Sequence, residues 1–148
     1  MSMTLEKYGS INELNALLTA EISACETYGQ AIQKVHDDHV RAELAECEDS
    51  HRMRVQTLRK RIEDLGAEPV DTSGIWGALA RFLEGGAALL GDRVAVAVLQ
   101  GGEDHGLKDY RAMLEKLDPG SRLLVLRSIL PAQEYTHKAM SALKKTLH

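Results

Sequence analysis

The chain is short of almost everything that staples, stiffens or anchors a protein. Its 148 residues hold two cysteines, three prolines and 4% aromatic residues. Two cysteines, Cys25 and Cys47, make neither a disulfide framework nor a four-cysteine metal knuckle. Scarce aromatics, with β-branched residues confined to a few short runs, argue against a sheet protein. No apolar run approaches the ~20 residues that cross a bilayer, so no membrane partner is expected. Positive charge is not in excess either. With 18 basic and 22 acidic residues the net charge is −4, the wrong sign for a nucleic-acid binder. Residues Met1-Ser2-Met3-Thr4-Leu5-Glu6 lack the basic and apolar pattern of a secretory signal, so a cytoplasmic location is expected.

What is present is an ordinary globular composition, 44% hydrophobic and 27% charged. A chain of this length buries about 68–70% of its unfolded surface and needs no staples. One domain over 1–148 is expected. Proline and glycine cut it into four segments of helical period, about 10–35, 39–65, 92–117 and 121–147. Ser10, with Glu13 three positions on, reads as a capping box for the first. Gly66 stops the second, and Asp118-Pro119-Gly120 is a turn signature before the fourth. The inner stripes read Leu14, Leu17, Glu21, Ala24, Tyr28, Ala31, Val35; then Leu44, Glu48, His51, Val55, Leu58, Ile62, Leu65. The third reads Val96, Leu99, Glu103, Gly106, Tyr110, Met113, Leu117, and the fourth Leu123, Leu126, Leu130, Glu134, His137, Met140. Two short connections and a long crossover, 66–91, give the expected class: an all-α antiparallel four-helix bundle of two hairpins. The crossover carries a short amphipathic piece, Ile75 to Leu83, that either covers the bundle's edge or forms a homodimer contact. Pro131 should kink or locally unwind the fourth helix one turn before Glu134.

The polar residues inside these stripes carry the chemistry. Glu48-Asp49-Ser50-His51 and Glu134-Tyr135-Thr136-His137 are both Glu-x-x-His, which puts a carboxylate and an imidazole on one helix face. Glu21 and Glu103 interrupt the stripes of the other two helices. The halves repeat: Glu21 and Tyr28 recur 82 residues later as Glu103 and Tyr110, and Glu48/His51 recur 86 residues later as Glu134/His137. The four additional residues are ascribed to the turn around Asp118-Pro119-Gly120. Four carboxylates and two imidazoles in one core ask for cations, because unpaired buried carboxylates cost several kcal/mol each. Two divalent ions offset four negative charges and sit roughly 3.5–4 Å apart when carboxylates bridge them. Iron or manganese suits such ligands, and zinc also binds.

On these residues the chain resembles the ferritin-like superfamily, near rubrerythrin and bacterioferritin cores. The run Leu14 to Glu21 with Ala24 and Tyr28 is similar to a bacterioferritin first helix. Gly102-Glu103-Asp104 with Leu107-Lys108 and Tyr110, and the Trp/Gly-containing crossover, look more like another bacterial family within that superfamily. The resemblance implies a two-iron site in which Glu21 and Glu103 are terminal ligands, Glu48 and Glu134 bridge, and His51 and His137 each cap one iron. Asp49 stands where a bacterioferritin has its haem-ligating Met, so no haem is expected. The implied activity is oxidation of Fe(II) with O2 or peroxide as the partner molecule. The alternatives are a non-catalytic metal-binding or stress-related bundle, and a small iron-storage assembly.

Several residues carry two readings. Tyr28 and Tyr110 either pack with satisfied hydroxyls or stand beside the metals as donors or redox-active phenols. Glu26 rivals Glu21 but lies about 140° around the helix, off the stripe. Cys25 and Cys47 fall at similar heights, as buried inert thiols or a peroxide-responsive pair. His36-Asp37-Asp38-His39 reads as a polar turn, and His105 as exposed. Gly29 beside Tyr28, and Gly101-Gly102 beside Glu103, offer close helix approach.

Overall fold

Four rods carry the apolar stripes in the computed structural model, which describes residues 2–73, 85 and 91–147, with side chains from Ser10 onward. Helix α1 spans Ser2–Lys34 and α2 spans Asp38–Asp64; α3 spans Asp92–Met113 and runs into a 3-10 turn, Leu114–Lys116. The fourth rod is composite: α4, Pro119–Leu124, a π-helical turn, Val125–Ile129, and α5, Leu130–Thr146. Among the described residues there is no strand, and no helix is long and apolar enough to cross a membrane. The protein is an all-α bundle, with α1 packed along α2, α3 along α5, and α1 against α3. The amphipathic piece Ile75 to Leu83 lies outside the described residues.

Local chemistry sets the turns. Asp37 caps α2, its carboxylate accepting from the amides of His39 and Val40, and this is what the acidic residue in the His36–His39 turn does. Asp92, at the head of α3, accepts from the amides of His36 and Asp37, both at 2.9 Å, and so ties the first turn to the second hairpin. Gly66 takes φ 86°, as its role as a stop requires. Ser10 does not begin α1. The helix passes through it, and its buried hydroxyl instead accepts the amide of Asp118 from the turn before α4.

The fourth rod departs most from its expected stripe. Leu123 and Leu126 are exposed, while Ser121, Val125, Ile129, Gln133, Thr136, Met140 and Leu143 face inward. The first four of these are spaced by four, wider than the 3.6 residues of an α-turn. The π-turn supplies the missing width. Pro131 has no amide to give, and the amide of Leu130 reaches back to the carbonyl of Val125 instead. The local unwinding expected of Pro131 is this turn.

The interior has three layers. One apolar cluster joins Val35, Val40, Leu44, Val96, Leu99 and Met140; the other joins Leu14, Leu18, Leu58, Ile62, Leu117 and Ile129. Tyr28 belongs to the first and Tyr110 to the second. Between them lies a layer of buried charge.

Candidate functional site

Glu21 on α1 and Glu103 on α3 sit in that middle layer, 4% and 0% exposed. Each meets the tyrosine of the opposite half. Tyr28 Oη donates to Glu103 Oε2 and Tyr110 Oη to Glu21 Oε1, both at 2.6 Å. His51 of α2 stands between the two carboxylates, its Nδ1 2.6 Å from Glu21 Oε2 and its Nε2 2.7 Å from Glu103 Oε2. Two carboxylates that only accept require a proton on each ring nitrogen, so His51 is an imidazolium.

Sequence reasoning missed the second cation. Arg54, 2% exposed, lies one turn beyond His51. Its guanidinium donates to Glu21 Oε1 at 3.3 Å, to Ser50 Oγ at 2.9 Å, to Thr136 Oγ1 at 2.8 Å, to the Ala132 carbonyl at 3.1 Å and to Gln133 Oε1. From α5, Gln133 Nε2 donates to Glu103 Oε1 at 3.0 Å and Thr136 Oγ1 to the same oxygen at 2.6 Å. Gly106 makes room for that amide, since a Cβ there would meet Gln133 Nε2 at 2.8 Å. Carrying the offset of 82 through the whole chain would have found these residues: it pairs His51 with Gln133 and Arg54 with Thr136.

The electrostatics follow. Burial alone would raise the Glu21 carboxyl, but the charges of His51 and Arg54 outweigh it and hold the pKa at about 2. Glu103 is lowered in the same way, burial losing to His51 and to the hydrogen bonds from Thr136 and Tyr28. His51 is raised, because Glu21 and Glu103 overcome its burial. Burial and the adjoining carboxylates push Tyr28 and Tyr110 well above the usual phenol range. Cys25 and Cys47 are pushed up to about 12, by burial first, then by Glu21 and Glu48 for the one and Glu103 for the other. Thiols held protonated are poor nucleophiles.

Three of the six expected ligands do not join this layer. Glu48 is only partly buried; it pairs with Arg52 at 2.9 Å and lies against Gly29. Glu134 and His137 each follow an inward residue, Gln133 and Thr136, and so turn about 100° away from the centre. His137 pairs instead with Asp104 toward the surface. Glu26 is exposed, as is His105, which pairs with Asp109 at 3.2 Å. A Cβ on Gly101 would meet nothing, so that glycine answers no close approach.

The residues present do not fit a metal pair. Glu103 offers four lone-pair directions and receives four donors, and Glu21 receives three. Both nitrogens of His51 are taken, from opposite sides. Two carboxylates balance one imidazolium and one guanidinium, so the charge that asked for divalent ions is already met. Among the described residues no group of three or more His, Cys, Asp or Glu side chains is arranged to hold a metal. The void beside Glu21, His51, Tyr110 and Gln133 measures about 10 Å³, room for one water.

A family model described as "domain of unknown function (DUF2383)" matches residues 10–116. It spans Glu21, Tyr28, His51, Arg54, Glu103 and Tyr110 and ends before Gln133 and Thr136. No curated protein matches the chain, and no solved structure does.

Proposed function

The chain belongs to the DUF2383 family, and from that premise we propose that it is a ferritin-like bundle with a metal-independent centre, acting in the cytoplasm as a non-catalytic module. One observation carries this: both nitrogens of His51 are held by carboxylates, with Arg54 supplying the remaining positive charge. The layer joins all four rods and fixes how the two hairpins meet, a register role for which buried polar groups are best attested. The void beside its carboxylates holds about one water, and both carboxylates and both ring nitrogens of His51 are engaged. The test is thermal melting of the full chain with and without chelator, and with Fe(II), Mn(II) or Zn(II) added. The melting temperature should not move, and Fe(II) should be oxidised by O2 or peroxide no faster than in buffer. Two tightly bound metals per chain, with a melting temperature that falls on chelation, would overturn it.

The di-iron oxidoreductase reading keeps one supporting observation: Glu21, His51 and Glu103, half of the expected ligand set, do meet in the core. It requires His51 to give up a proton, Arg54 to leave the centre, and Glu48, Glu134 and His137 to turn inward. Loss of paired metal binding in Glu48→Ala or Glu134→Ala would establish it.

A further inference from the structure

Among the described residues the large apolar side chains that remain exposed are Met53, Leu123, Leu126 and Tyr135. They lie on α2 and the fourth rod, where two surface grooves adjoin. Glu46, Asp49, Met53 and Tyr135 line one, and Lys60, Arg61, Leu123 and Arg127 the other. Thr57 and Ser128 line both, so the two form one trough. Glu46 and Asp49 outnumber the buried Arg54 at one end, Lys60, Arg61 and Arg127 outnumber Asp64 (3.4 Å from Lys60) at the other, and apolar side chains lie between.

The exposed ridge of α2 has the same polarity. Glu46, Asp49, Met53, Gln56 and Lys60 are all exposed and spaced by three and four, one face of a helix. The ridge complements itself. Two copies of α2 laid antiparallel with Met53 against Met53 place Glu46 opposite Lys60 of the second copy. Asp49 then falls opposite Thr57, and Ser50 opposite Gln56. Carboxylate meets ammonium, carboxylate meets hydroxyl, and hydroxyl meets amide, each pair occurring twice by symmetry. Arg52, the neighbour of Met53, is drawn off this axis by Glu48 at 2.9 Å.

We propose that the protein is a homodimer built on this face, with a two-fold axis through Met53 and the flanking Tyr135 and Leu123 closing over it. A two-fold contact uses one patch on both subunits and so demands self-complementarity, and apolar surface rimmed by charge marks an interaction site. From 46 to 60 the ridge runs about 21 Å. A partner of uniform charge would match one end and be repelled by the other. A second copy matches both. The dimer stands whether or not the core binds metal.

Sedimentation equilibrium of the full chain tests this, with Met53→Glu, Glu46→Lys, Lys60→Glu and the double variant Glu46→Lys/Lys60→Glu. The wild type should show twice 16.3 kDa. Met53→Glu should weaken association at least about tenfold, and each single charge reversal several-fold. The double variant recreates the pairs with signs exchanged and should dimerise like wild type. All sites are exposed, and an unchanged circular dichroism spectrum checks that each variant is folded. A wild type monomeric at every concentration, a dimer indifferent to Met53→Glu, or a double variant no better than the singles would each overturn the proposal.

Discussion

Helices α1 and α3 present the same two residues to the core, a Glu and, seven positions on, a Tyr. Helices α2 and α5 present different ones at matching places: His51 and Arg54 against Gln133 and Thr136. The two carboxylates are shared evenly between the hairpins, and both cations come from the first. Glu21 is therefore held by two charges and a phenol. Glu103 is held by one charge and three neutral donors. A repeated backbone thus need not repeat its electrostatics. The second half keeps the hydrogen bonds and leaves the charge to the first.

The sharpest way to break this asymmetry is to remove the unshared cation. Arg54→Met leaves Glu21 buried with a single cationic partner, and breaking a buried pair this way costs about 3–5 kcal/mol. Urea unfolding would read that loss, and a cost below about 1 kcal/mol would mean that Arg54 is not the counter-charge.

Acidity separates the two kinds of group next. Glu21, with a folded pKa of about 2 against 4.5, contributes stability that is present above pH 4.5 and lost as pH falls toward 2. By linkage this amounts to roughly 3 kcal/mol. His51 is raised above 6.5, so its contribution is complete below pH 6.5 and is lost as pH rises through its folded value. Melting temperature should peak between about pH 4.5 and 6.5 and fall on both sides. A maximum above pH 8 would contradict a charged His51.

Smaller effects refine the comparison. Tyr28→Phe and Tyr110→Phe each remove one donor to a charged acceptor, about 1.5–3 kcal/mol. Tyr28→Phe should lie at the lower end, because Glu103 retains three other donors. Least of all, Glu134→Gln and His137→Ala should stay within about 0.5 kcal/mol, as partly exposed positions do. A large loss at either would place them in the core after all.

The sequence made α1 and α3 readable because their stripes hold to 3.6 periodicity and because a Glu inside an apolar stripe is conspicuous. All seven stripe residues from Leu14 to Val35 are buried. His51 was visible for the same reason. Arg54 was not, because an arginine on a charged helix reads as surface, and only its partners reveal that it is buried. The fourth rod misled for two physical reasons. Its leucines at 123, 126 and 130 form a regular apolar stripe of their own, and Glu134-x-x-His137 continues that stripe in phase. The turn that sets the true phase depends on backbone hydrogen bonding around Pro131, which side-chain pattern does not display.

That wide turn also keeps the two halves of the molecule in register. The buried positions Val40 and Leu44 of α2 recur as Ser121 and Val125, 81 residues later. Beyond the turn Cys47, His51 and Arg54 recur as Ile129, Gln133 and Thr136, 82 residues later. The count changes by one within Val125–Ile129, where the helix is one residue too rich for its turns. The residue gained there offsets one fewer in the connection before α4, so the pairs Glu21/Glu103 and His51/Gln133 share the offset of 82. Deleting one residue there would return a regular helix with the same inward face but leave Gln133 and Thr136 one residue short of the offset that Glu103 and Tyr110 keep.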